Sequence, residues 1–441
     1  MVELAGILMS KGTHASMPSE PKYRLVCTAC SATYSSHQLK CAKDEALLRT
    51  VYGKRQIELK PGSGIGRFHD WLPVSDMIVS DAGPVTYKST ELAKELQLTN
   101  LYISFNGYWP EKRAFMKTCS FKELEAIPTL ERFRGSDHPL VVASSGNTGR
   151  AFAHVATMIG AEVFIVVPES GMPRMWLPEE PADIVHVIEM SGDCDYADSI
   201  HFSERLASLP GMILEGGARN VARRDGMGTV MLDAAIRMRR MPDHYFQAVA
   251  SGTGAIAAWE ASLRLLGDGR FGRRLPRLHL SQNLPFAPMH SAWKAGRREI
   301  VESLDMPDPK GLIHEMYDDV LSNREPPYSV CGGVYDALSS TGGITYGITN
   351  NNVSKAKKLF ENCEGIDILP SAGVAVASLI EATGDQKLGQ RDYVLLNITG
   401  GGEKRLAVDN SLIRLKPEAC VGNASAPING FARRRHHQKV E

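Results

Sequence analysis

The fold class follows from one run of residues, Leu140-Val141-Val142-Ala143-Ser144-Ser145-Gly146-Asn147-Thr148-Gly149. Its apolar half is typical of a buried strand, and its polar half is typical of a tight turn that opens a helix. The pattern continues downstream, where we expect strands at 163–167 and 184–189 and helices at 148–158 and 196–206. Because short strands alternate with longer helices, the sequence predicts an α/β fold with parallel strands and crossover helices.

The same alternation returns later in the chain. A strand at 246–250 leads into a Gly-rich turn and a helix at 256–266, and a strand at 393–398 leads into Gly400-Gly401-Gly402. No repeat of fixed period joins these segments. Two doubly wound α/β domains explain the pattern best, although the motifs of the two interleave along the chain.

Composition narrows the class of partner. The chain has 441 residues, with 50 Lys plus Arg against 50 Asp plus Glu, so its formal net charge is zero. A balanced charge argues against nucleic acid and against an anionic membrane surface as partners. No apolar run approaches the roughly 20 residues that span a bilayer, and the start lacks a signal-peptide pattern, so we expect a cytoplasmic protein. The eight cysteines are thinly spread, which predicts mostly reduced thiols.

Two turns are suited to anions. The turn after residue 143 can aim backbone amides and hydroxyls at one point, as a carboxylate or phosphate requires, although an ordinary strand-to-helix connection uses the same residues. The second turn, Ser251-Gly252-Thr253-Gly254, lies between the strand at 246–250 and the next helix. It lacks both the full dinucleotide spacing and the Lys-Ser/Thr of a P-loop, but a phosphate at the helix start fits it.

Two further motifs carry reactive side chains. Ser120 and Glu123 form a capping-box pattern, which places Lys122 in the first turn of a helix. A lysine there is ordinarily a solvated surface residue, yet a cation opposes the helix dipole, and this mismatch favours an amine consumed as an imine. Thr399 ends the strand at 393–398, at the sheet edge where ligands collect, although it could equally cap a turn.

Taken together and in this order, the four motifs resemble the fold type II pyridoxal-phosphate enzymes, which include threonine synthase, cysteine synthase and the tryptophan synthase β subunit. The resemblance covers roughly residues 25 to 405. It implies pyridoxal 5'-phosphate as the cofactor, held as a Schiff base on Lys122. It also implies that Asn147 lies beside the cofactor's phenolic oxygen and that Thr399 meets its pyridine nitrogen.

The remaining site residues are implied by the same resemblance. The phosphate of the cofactor falls on the turn and helix start at Gly252, Thr253, Gly254, Ala255 and Ile256. The substrate carboxylate falls on Ser144, Ser145 and Thr148. Four cations lie next to these motifs, namely Lys117, Arg150, Arg223 and Arg224, and we expect Lys117 and Arg223 to contact anionic substrates, although solvated surface positions are an alternative for each.

The resemblance also implies a domain plan with the cofactor between two domains. We expect a larger cofactor-binding domain from 61–137 and 241–407 and a smaller domain at 138–240. Outside these, the sequence predicts a flexible N-terminus at 1–22, a zinc-ribbon-like segment at 23–60 and a loose tail at 408–441.

The segment at 23–60 contains Cys27, Cys30, Tyr34 and Cys41, a pattern that resembles the zinc-ribbon-like lead of many threonine synthases. A structural zinc normally takes four ligands, and the position of the fourth cysteine is occupied by Asp44. His37 could substitute. With three of the usual four ligands present, we expect a small module that packs without a metal.

Residues near the lysine motif, and a second segment further along the chain, limit the choice of substrate. Where threonine synthases carry an asparagine and a Gln-Lys pair for phosphohomoserine, this chain carries Met116 and Met227-Gly228. The run from Phe115 to Ala126 instead resembles the cysteate synthases of methanogenic archaea. That resemblance implies replacement of the phosphate of O-phospho-L-serine by sulfite through an aminoacrylate, giving L-cysteate for coenzyme M synthesis, by a homo-oligomer. Threonine synthase activity, use of sulfide, and a non-catalytic binding protein of the same fold remain alternatives.

Overall fold

The computed structural model describes residues 21–35, 37–428 and 430–431. Most of the expected loose ends, 1–20 and 432–441, therefore lie outside the described residues. The strands are β1 Tyr23–Cys27, β2 Thr33–Tyr34, β3 Leu48–Tyr52, β4 Val85–Lys88, β5 Asn100–Phe105, β6 Tyr108–Trp109, β7 Ala114–Phe115, β8 Leu140–Ala143, β9 Val163–Pro168, β10 Trp176–Leu177, β11 Val185–Met190, β12 Ile213–Leu214, β13 His244–Ala248, β14 Arg277–Asn283, β15 Ile344–Ile348, β16 Tyr393–Ile398, β17 Ile413–Arg414 and β18 Ala419–Val421.

The helices alternate with these strands. They are α1 Glu91–Glu95, α2 Lys122–Glu131, α3 Asn147–Ile159, α4 Tyr196–Ala207, α5 Val221–Met238, α6 Thr253–Asp268, α7 Pro288–Lys294, α8 Glu302–Asp305, α9 Pro309–His314, α10 Val334–Thr341, α11 Asn350–Glu364, α12 Pro370–Gly384 and α13 Glu403–Asp409. Short 3-10 helices lie at Ile65–Trp71, Pro110–Lys112, Glu169–Arg174, Gly217–Arg219 and Asp319–Leu321.

The larger sheet has six strands in the order β15-β14-β13-β16-β5-β4. All neighbours in it are parallel except β4 and β5. Helices α11 and α12 cover one face, and α5, α6 and α10 cover the other, so two apolar clusters enclose the sheet. Strands buried on both faces read as continuous apolar runs, which is why 393–398 was recognisable as a strand.

The smaller sheet has five parallel strands in the order β12-β8-β9-β11-β18. Helix α3 packs on one face and α4 on the other. The predicted strands at 140–143, 163–167 and 184–189 and the helices at 148–158 and 196–206 are confirmed, with ends that differ by one or two residues at most. The α/β class and the parallel sheets are therefore confirmed.

Two segments differ from expectation. Residues 408–428 include β17, which pairs with β10, and β18, which adds to the edge of the smaller sheet beside β11, whereas the sequence predicts a loose tail there. Strands this short carry too few residues for a readable period. Helix α5 falls inside the range predicted for the smaller domain, but it packs against α2, α6 and β4 of the larger sheet's layer.

The N-terminal segment forms a separate antiparallel sheet in the order β2-β1-β3, as expected for a zinc-ribbon-like unit. It is anchored to α5 by a buried carboxylate, because Asp225 accepts hydrogen bonds from Thr50 Oγ1 at 2.7 Å and from the Tyr52 hydroxyl at 2.6 Å. Arg264 of α6 donates to the other oxygen of Asp225 at 2.6 Å. One carboxylate thus joins three elements.

Within the described part of the chain, no helix is both long and apolar enough to cross a lipid bilayer.

The Asp225 junction yields a stability prediction. Asp225→Asn leaves the Arg264 guanidinium without its charged partner, and losing one partner of a buried ion pair costs about 3–5 kcal/mol. We expect the free energy of unfolding from urea denaturation to fall by about that amount. The control is Asp385→Asn, whose carboxylate pairs with Lys387 in an exposed position and should change stability by about 1 kcal/mol or less. Equal effects in the two variants would contradict this role for Asp225.

Candidate active site

A cavity lies where the carboxyl ends of β8, β13 and β16 meet the first turns of α2, α3 and α6. Helix N-termini carry partial positive charge and unpaired amides, so their convergence favours an anionic ligand. The residues that line the cavity are Ser120, Phe121, Lys122, Ser145, Asn147, Thr148, Tyr196, Arg223, Gln247, Ala248, Val249, Ala250, Ser251, Gly252, Thr253, Gly254, Val320, Leu321, Ser322, Ser371 and Thr399.

Lys122 is the first residue of α2, as the sequence predicts. The residues before it are fixed by the turn after β16, because the Phe121 amide donates to the Thr399 carbonyl at 2.9 Å and the Gly401 amide donates to the Cys119 carbonyl at 3.0 Å. This pairing brings the lysine and Thr399 to one cavity although they are far apart in the chain.

The predicted capping box is absent. The Ser120 hydroxyl accepts from the amide of Lys122 at 3.4 Å and not from that of Glu123, and the Glu123 carboxylate accepts from the amide of Thr118 at 3.0 Å and from its hydroxyl at 2.8 Å. Pairing of Ser120 with Gly400 holds the backbone there in a bridge, so the reciprocal geometry of a capping box does not form.

The amine of Lys122 lies beside a buried carboxylate. Its Nζ is 3.3 Å from Oε2 of Glu125, one turn further along α2. Burial lowers the pKa of Lys122 below its ordinary value, Glu125 opposes that shift, and Arg223 adds to it. A lowered pKa means that the neutral, nucleophilic amine is populated at lower pH than for a surface lysine.

Glu125 is fully buried and has three partners. Besides Lys122, the Thr148 hydroxyl donates to its Oε1 at 3.0 Å, and Nη1 of Arg223 lies 3.5 Å from the same oxygen. Arg223 in turn makes a bidentate pair with Glu215, at 3.0 and 2.6 Å. Burial opposes protonation of Arg223, but the two carboxylates raise its pKa overall, so Arg223 is a permanent cation shared by two anions.

The Gly-rich turn forms a cradle at the start of α6. Ser251 and Thr253 line it, with their hydroxyl oxygens 2.9 Å apart. A Cβ at Gly254 would lie 2.5 Å from Nε2 of Gln247, and a Cβ at Gly252, whose φ is +77°, would overlap Val334. Only glycine leaves this space open, and the first two amides of the helix, those of Thr253 and Gly254, precede the first residue that can donate to a helix carbonyl. The cradle therefore fits a phosphate.

Two residues predicted for this phosphate site lie behind it. The side chains of Ala255 and Ile256 are fully buried, and their amides donate to the Gly252 carbonyl, each at 3.0 Å. These amides already have acceptors because Gly252 caps the helix. The structure thus brings Gly252, Thr253 and Gly254 to the cavity but not Ala255 or Ile256.

Of the residues predicted for the site in the turn after β8, some line the cavity and one does not. Ser145, Asn147 and Thr148 line the cavity, but Ser144 is buried beneath the turn, where its hydroxyl accepts from the amides of Gly146 at 2.8 Å and Gly149 at 2.7 Å. Ser144 therefore stabilises the turn, in contrast to the predicted contact with substrate. The sequence alone cannot distinguish Ser144 from Ser145, because they are adjacent and identical residues of the same turn.

The four cationic residues named from the sequence do not all lie at the cavity. Arg223 lines the cavity, whereas Lys117 is exposed and lies outside it. Arg150 is buried over the Trp176 ring, 4.0 Å from its centroid, and pairs with Glu403. Arg224 is buried against Glu260 at 3.0 Å. Of the four cations, only Arg223 is placed to act on a bound ligand.

Several residues that line the cavity are not among the predicted site residues. They include Tyr196, Gln247 and Ser371. Two hydrogen bonds fix the side chain of Gln247, whose Oε1 accepts from the Tyr245 hydroxyl at 2.5 Å and from Nδ2 of Asn397 at 3.1 Å. Glu125 did carry a signal, because an acid three residues after a lysine lies on the same helix face. Ser371 also carried a signal, because it lies in the Pro-Ser-Ala run that begins α12. Gln247 carried none, since it reaches the cavity through packing between strands.

The described side chains fit pyridoxal phosphate. A partly buried amine of lowered pKa, a glycine cradle at a helix start and a hydroxyl at the carboxyl end of β16 share one cavity. These are the groups that the cofactor's carbonyl, phosphate and ring nitrogen require.

Comparison with known proteins agrees with this fit. The pyridoxal-phosphate dependent enzyme family model matches residues 92–400. The cysteate synthase of Methanosarcina acetivorans is 56% identical over 92% of this chain and 98% of its own length, and that of Methanosarcina mazei is 55% identical over 92% and 99%. The structure of diaminopropionate ammonia lyase from Escherichia coli shares the fold, with a TM-score of 0.53 at 15% identity, over 73% of this chain and 85% of that one.

The cradle predicts a specific effect of Gly254→Ala. The added methyl group would meet Gln247, so we expect the dissociation constant for pyridoxal phosphate, from absorbance titration of the apoenzyme, to rise about tenfold or more, which equals a loss of about 1.4 kcal/mol. The matched control is Gly267→Ala in the same helix, where a Cβ meets no atom within 4 Å and the dissociation constant should stay unchanged. An unchanged value in the Gly254 variant would rule out close approach of the phosphate.

The Lys122–Glu125 pair predicts a pH effect. In Glu125→Gln the charge that raises the pKa of Lys122 is lost while burial and Arg223 still lower it, so the neutral amine forms at lower pH. We expect the pH midpoint for the rate of apoenzyme reconstitution with pyridoxal phosphate to fall. Glu131→Gln, on the same helix but paired with Arg134, serves as control and should leave the midpoint in place. A midpoint that rises in Glu125→Gln would contradict the pairing.

Proposed function

The chain belongs to the cysteate synthases, a family of pyridoxal-phosphate-dependent enzymes, and we propose that it converts O-phospho-L-serine and sulfite to L-cysteate and phosphate. In this β-replacement the bond between the β-carbon and the phosphate oxygen breaks, and phosphate leaves with the electron pair. A sulfite lone pair forms the new carbon–sulfur bond. The α-proton is removed and later returned, so the exchange is balanced without an oxidant or reductant.

The likeness to cysteate synthases over nearly the whole chain supports this substrate pair. The cavity supports the chemistry, because it joins a cofactor lysine to an anion-binding helix start. The observation that carries the proposal is the position of Lys122 at the junction of α2, α3 and α6, beside Glu125.

Pyridoxal phosphate, when bound, supplies a carbonyl carbon that takes up the substrate amine and a ring that spreads negative charge from the α-carbon. Lys122 Nζ is the base that takes the α-proton, since its lowered pKa makes the neutral amine available. Glu125 Oε2 then accepts a hydrogen bond from the ammonium and holds it in place for return of the proton.

The substrate's anionic groups are assigned to two sides of the cavity. Ser145 presents a hydroxyl and Thr148 a backbone amide at the start of α3, which suits the carboxylate, and Asn147 presents a side-chain amide beside them for the phenolic oxygen of the cofactor. Arg223 lies on the far side of Glu125 and is the cation available to the phosphate and to sulfite. Thr399 offers its hydroxyl to the ring nitrogen of the cofactor. A neutral hydroxyl forms a hydrogen bond there but does not stabilise a positive charge on that nitrogen as a carboxylate would.

We extend the proposal to the pathway, the cell compartment and the oligomeric state. The reaction would serve coenzyme M synthesis in the cytoplasm of an archaeon, with the enzyme acting as a homo-oligomer on small-molecule substrates and without nucleic acid or membrane as a partner. The neutral formal charge supports the last point.

Product analysis tests the proposal directly. The holoenzyme is incubated with O-phospho-L-serine plus sulfite, with O-phospho-L-serine plus sulfide, and with O-phosphohomoserine, and products are separated by chromatography and mass spectrometry. We expect L-cysteate from the first mixture as the main product. The Lys122→Ala variant should lose about a hundredfold to ten-thousandfold in rate, the range for a positioned acid–base group.

Cysteine formed faster than cysteate would refute the choice of sulfite, and threonine formed from O-phosphohomoserine would refute the choice of phosphoserine. Absence of visible cofactor absorbance in the wild type, or full absorbance retained by Lys122→Ala, would refute the assignment of the cofactor linkage to Lys122.

A further inference from the structure

Four metal-binding side chains converge in the N-terminal module. Cys27, Cys30, Cys41 and Asp44 each bring one ligand atom to a group in which all four atoms lie within 4.8 Å of one another. Sγ of Cys30 is 3.6 Å from Sγ of Cys41, and Sγ of Cys27 is 3.3 Å from Oδ1 of Asp44. Three thiols and a carboxylate at one point are a set that a metal ion can bind.

These ligands are presented by two turns of the same design. In the first, Cys27 and Cys30 are followed by Ser31 at φ +60°, and in the second Cys41 and Asp44 are followed by Glu45 at φ +57°. In both turns the residue with left-handed backbone directly follows the second ligand. Each turn therefore places two ligand side chains, three residues apart, on the same side.

The backbone hydrogen bonds of the two turns also correspond. The Cys27 amide donates to the Ala32 carbonyl at 2.8 Å, and the Cys41 amide donates to the Ala46 carbonyl at 3.3 Å, five residues on in both cases. Within each turn an amide points at the first sulfur, from Ala29 to Cys27 at 3.3 Å and from Lys43 to Cys41 at 3.4 Å. Donors aimed at sulfur stabilise thiolates, which is the form that binds metal.

The spacing fits tetrahedral zinc. With Zn–S bonds of about 2.3 Å, two sulfurs at the tetrahedral angle are about 3.8 Å apart, and a sulfur and a carboxylate oxygen are about 3.5 Å apart. The observed 3.6 and 3.3 Å are close to both values. A disulfide between Cys30 and Cys41 would need about 2.05 Å. Three thiolates favour zinc over magnesium or calcium.

We propose that Cys27, Cys30, Cys41 and Asp44 bind a structural zinc ion. This replaces the expectation of a metal-free module. His37, the alternative fourth ligand, lies elsewhere, because its ring packs against Phe133 with centroids 5.4 Å apart. The Tyr34 hydroxyl lies 2.9 Å from Sγ of Cys41 and adds an outer hydrogen bond that orients this ligand.

The site would stabilise more than its own module. The Thr28 hydroxyl, inside the first turn, shares its one proton between the carbonyls of Leu47 at 2.9 Å and Cys331 at 3.1 Å. The segment at Cys331 leads directly into α10, whose first residue, Val334, lies against Gly252 of the phosphate cradle. A module this short lacks a core sufficient for folding by itself, so a metal is a usual supplement.

The test measures metal content and thermal stability of the full-length protein, purified without chelator under reducing conditions. Inductively coupled plasma mass spectrometry should find about one zinc per chain in the wild type. Cys30→Ser and Asp44→Ala should lose it, while Cys420→Ser, an exposed cysteine of β18, should retain it. Chelator should lower the melting temperature of the wild type and leave that of Cys30→Ser unchanged.

Asp44→Cys provides a variant that does not depend on loss of folding. A fourth thiolate is a softer ligand for zinc, so this protein should release zinc to a competing chelator more slowly than the wild type. Faster release would overturn the assignment of Asp44. Wild type that neither contains nor takes up zinc, that contains iron instead, or that shows a Cys30–Cys41 disulfide by mass would overturn the proposal, as would full zinc retention in Cys30→Ser.

Discussion

The site depends on one piece of backbone pairing, between the residues before α2 and the turn after β16. The hydrogen bonds from Phe121 to Thr399 and from Gly401 to Cys119 join segments that are remote in sequence. They place Lys122 at the carboxyl edge of the larger sheet, where the starts of α3 and α6 also point. Because an amine must lie within bonding distance of a cofactor held elsewhere, this constraint sets the position of every other group.

The electrostatics of the cavity follow from that placement. Three helix starts favour anions, and Lys122 and Arg223 add positive charge, which would be costly to bury alone. Glu125 and Glu215 offset it with ion pairs among buried groups. The result is a cavity with cations at fixed positions and little net charge to repel a protonated substrate amine. A lysine of lowered pKa is a consequence of this burial rather than of any single neighbour.

Much of the fold could be predicted from the sequence, because buried parallel strands read as short apolar runs, as at 140–143 and 393–398. The positions of Lys122 and of the Gly-rich turn were also predictable, since both lie at helix starts marked by glycine or small polar residues. Local patterns could not distinguish Ser144 from Ser145, because only the path of the turn decides which hydroxyl faces the cavity. Gln247 depends on packing between strands. The sequence could not assign Asp44, because only the folded path of the second turn brings its carboxylate to the three thiols.

The central claim is that Lys122 is the amine that holds the cofactor. Borohydride reduction of the holoenzyme fixes pyridoxal phosphate to that amine, and peptide mass spectrometry after digestion then identifies the modified lysine. We predict a single phosphopyridoxyl group, located on Lys122. Modification of another lysine, or none at all, would contradict the account.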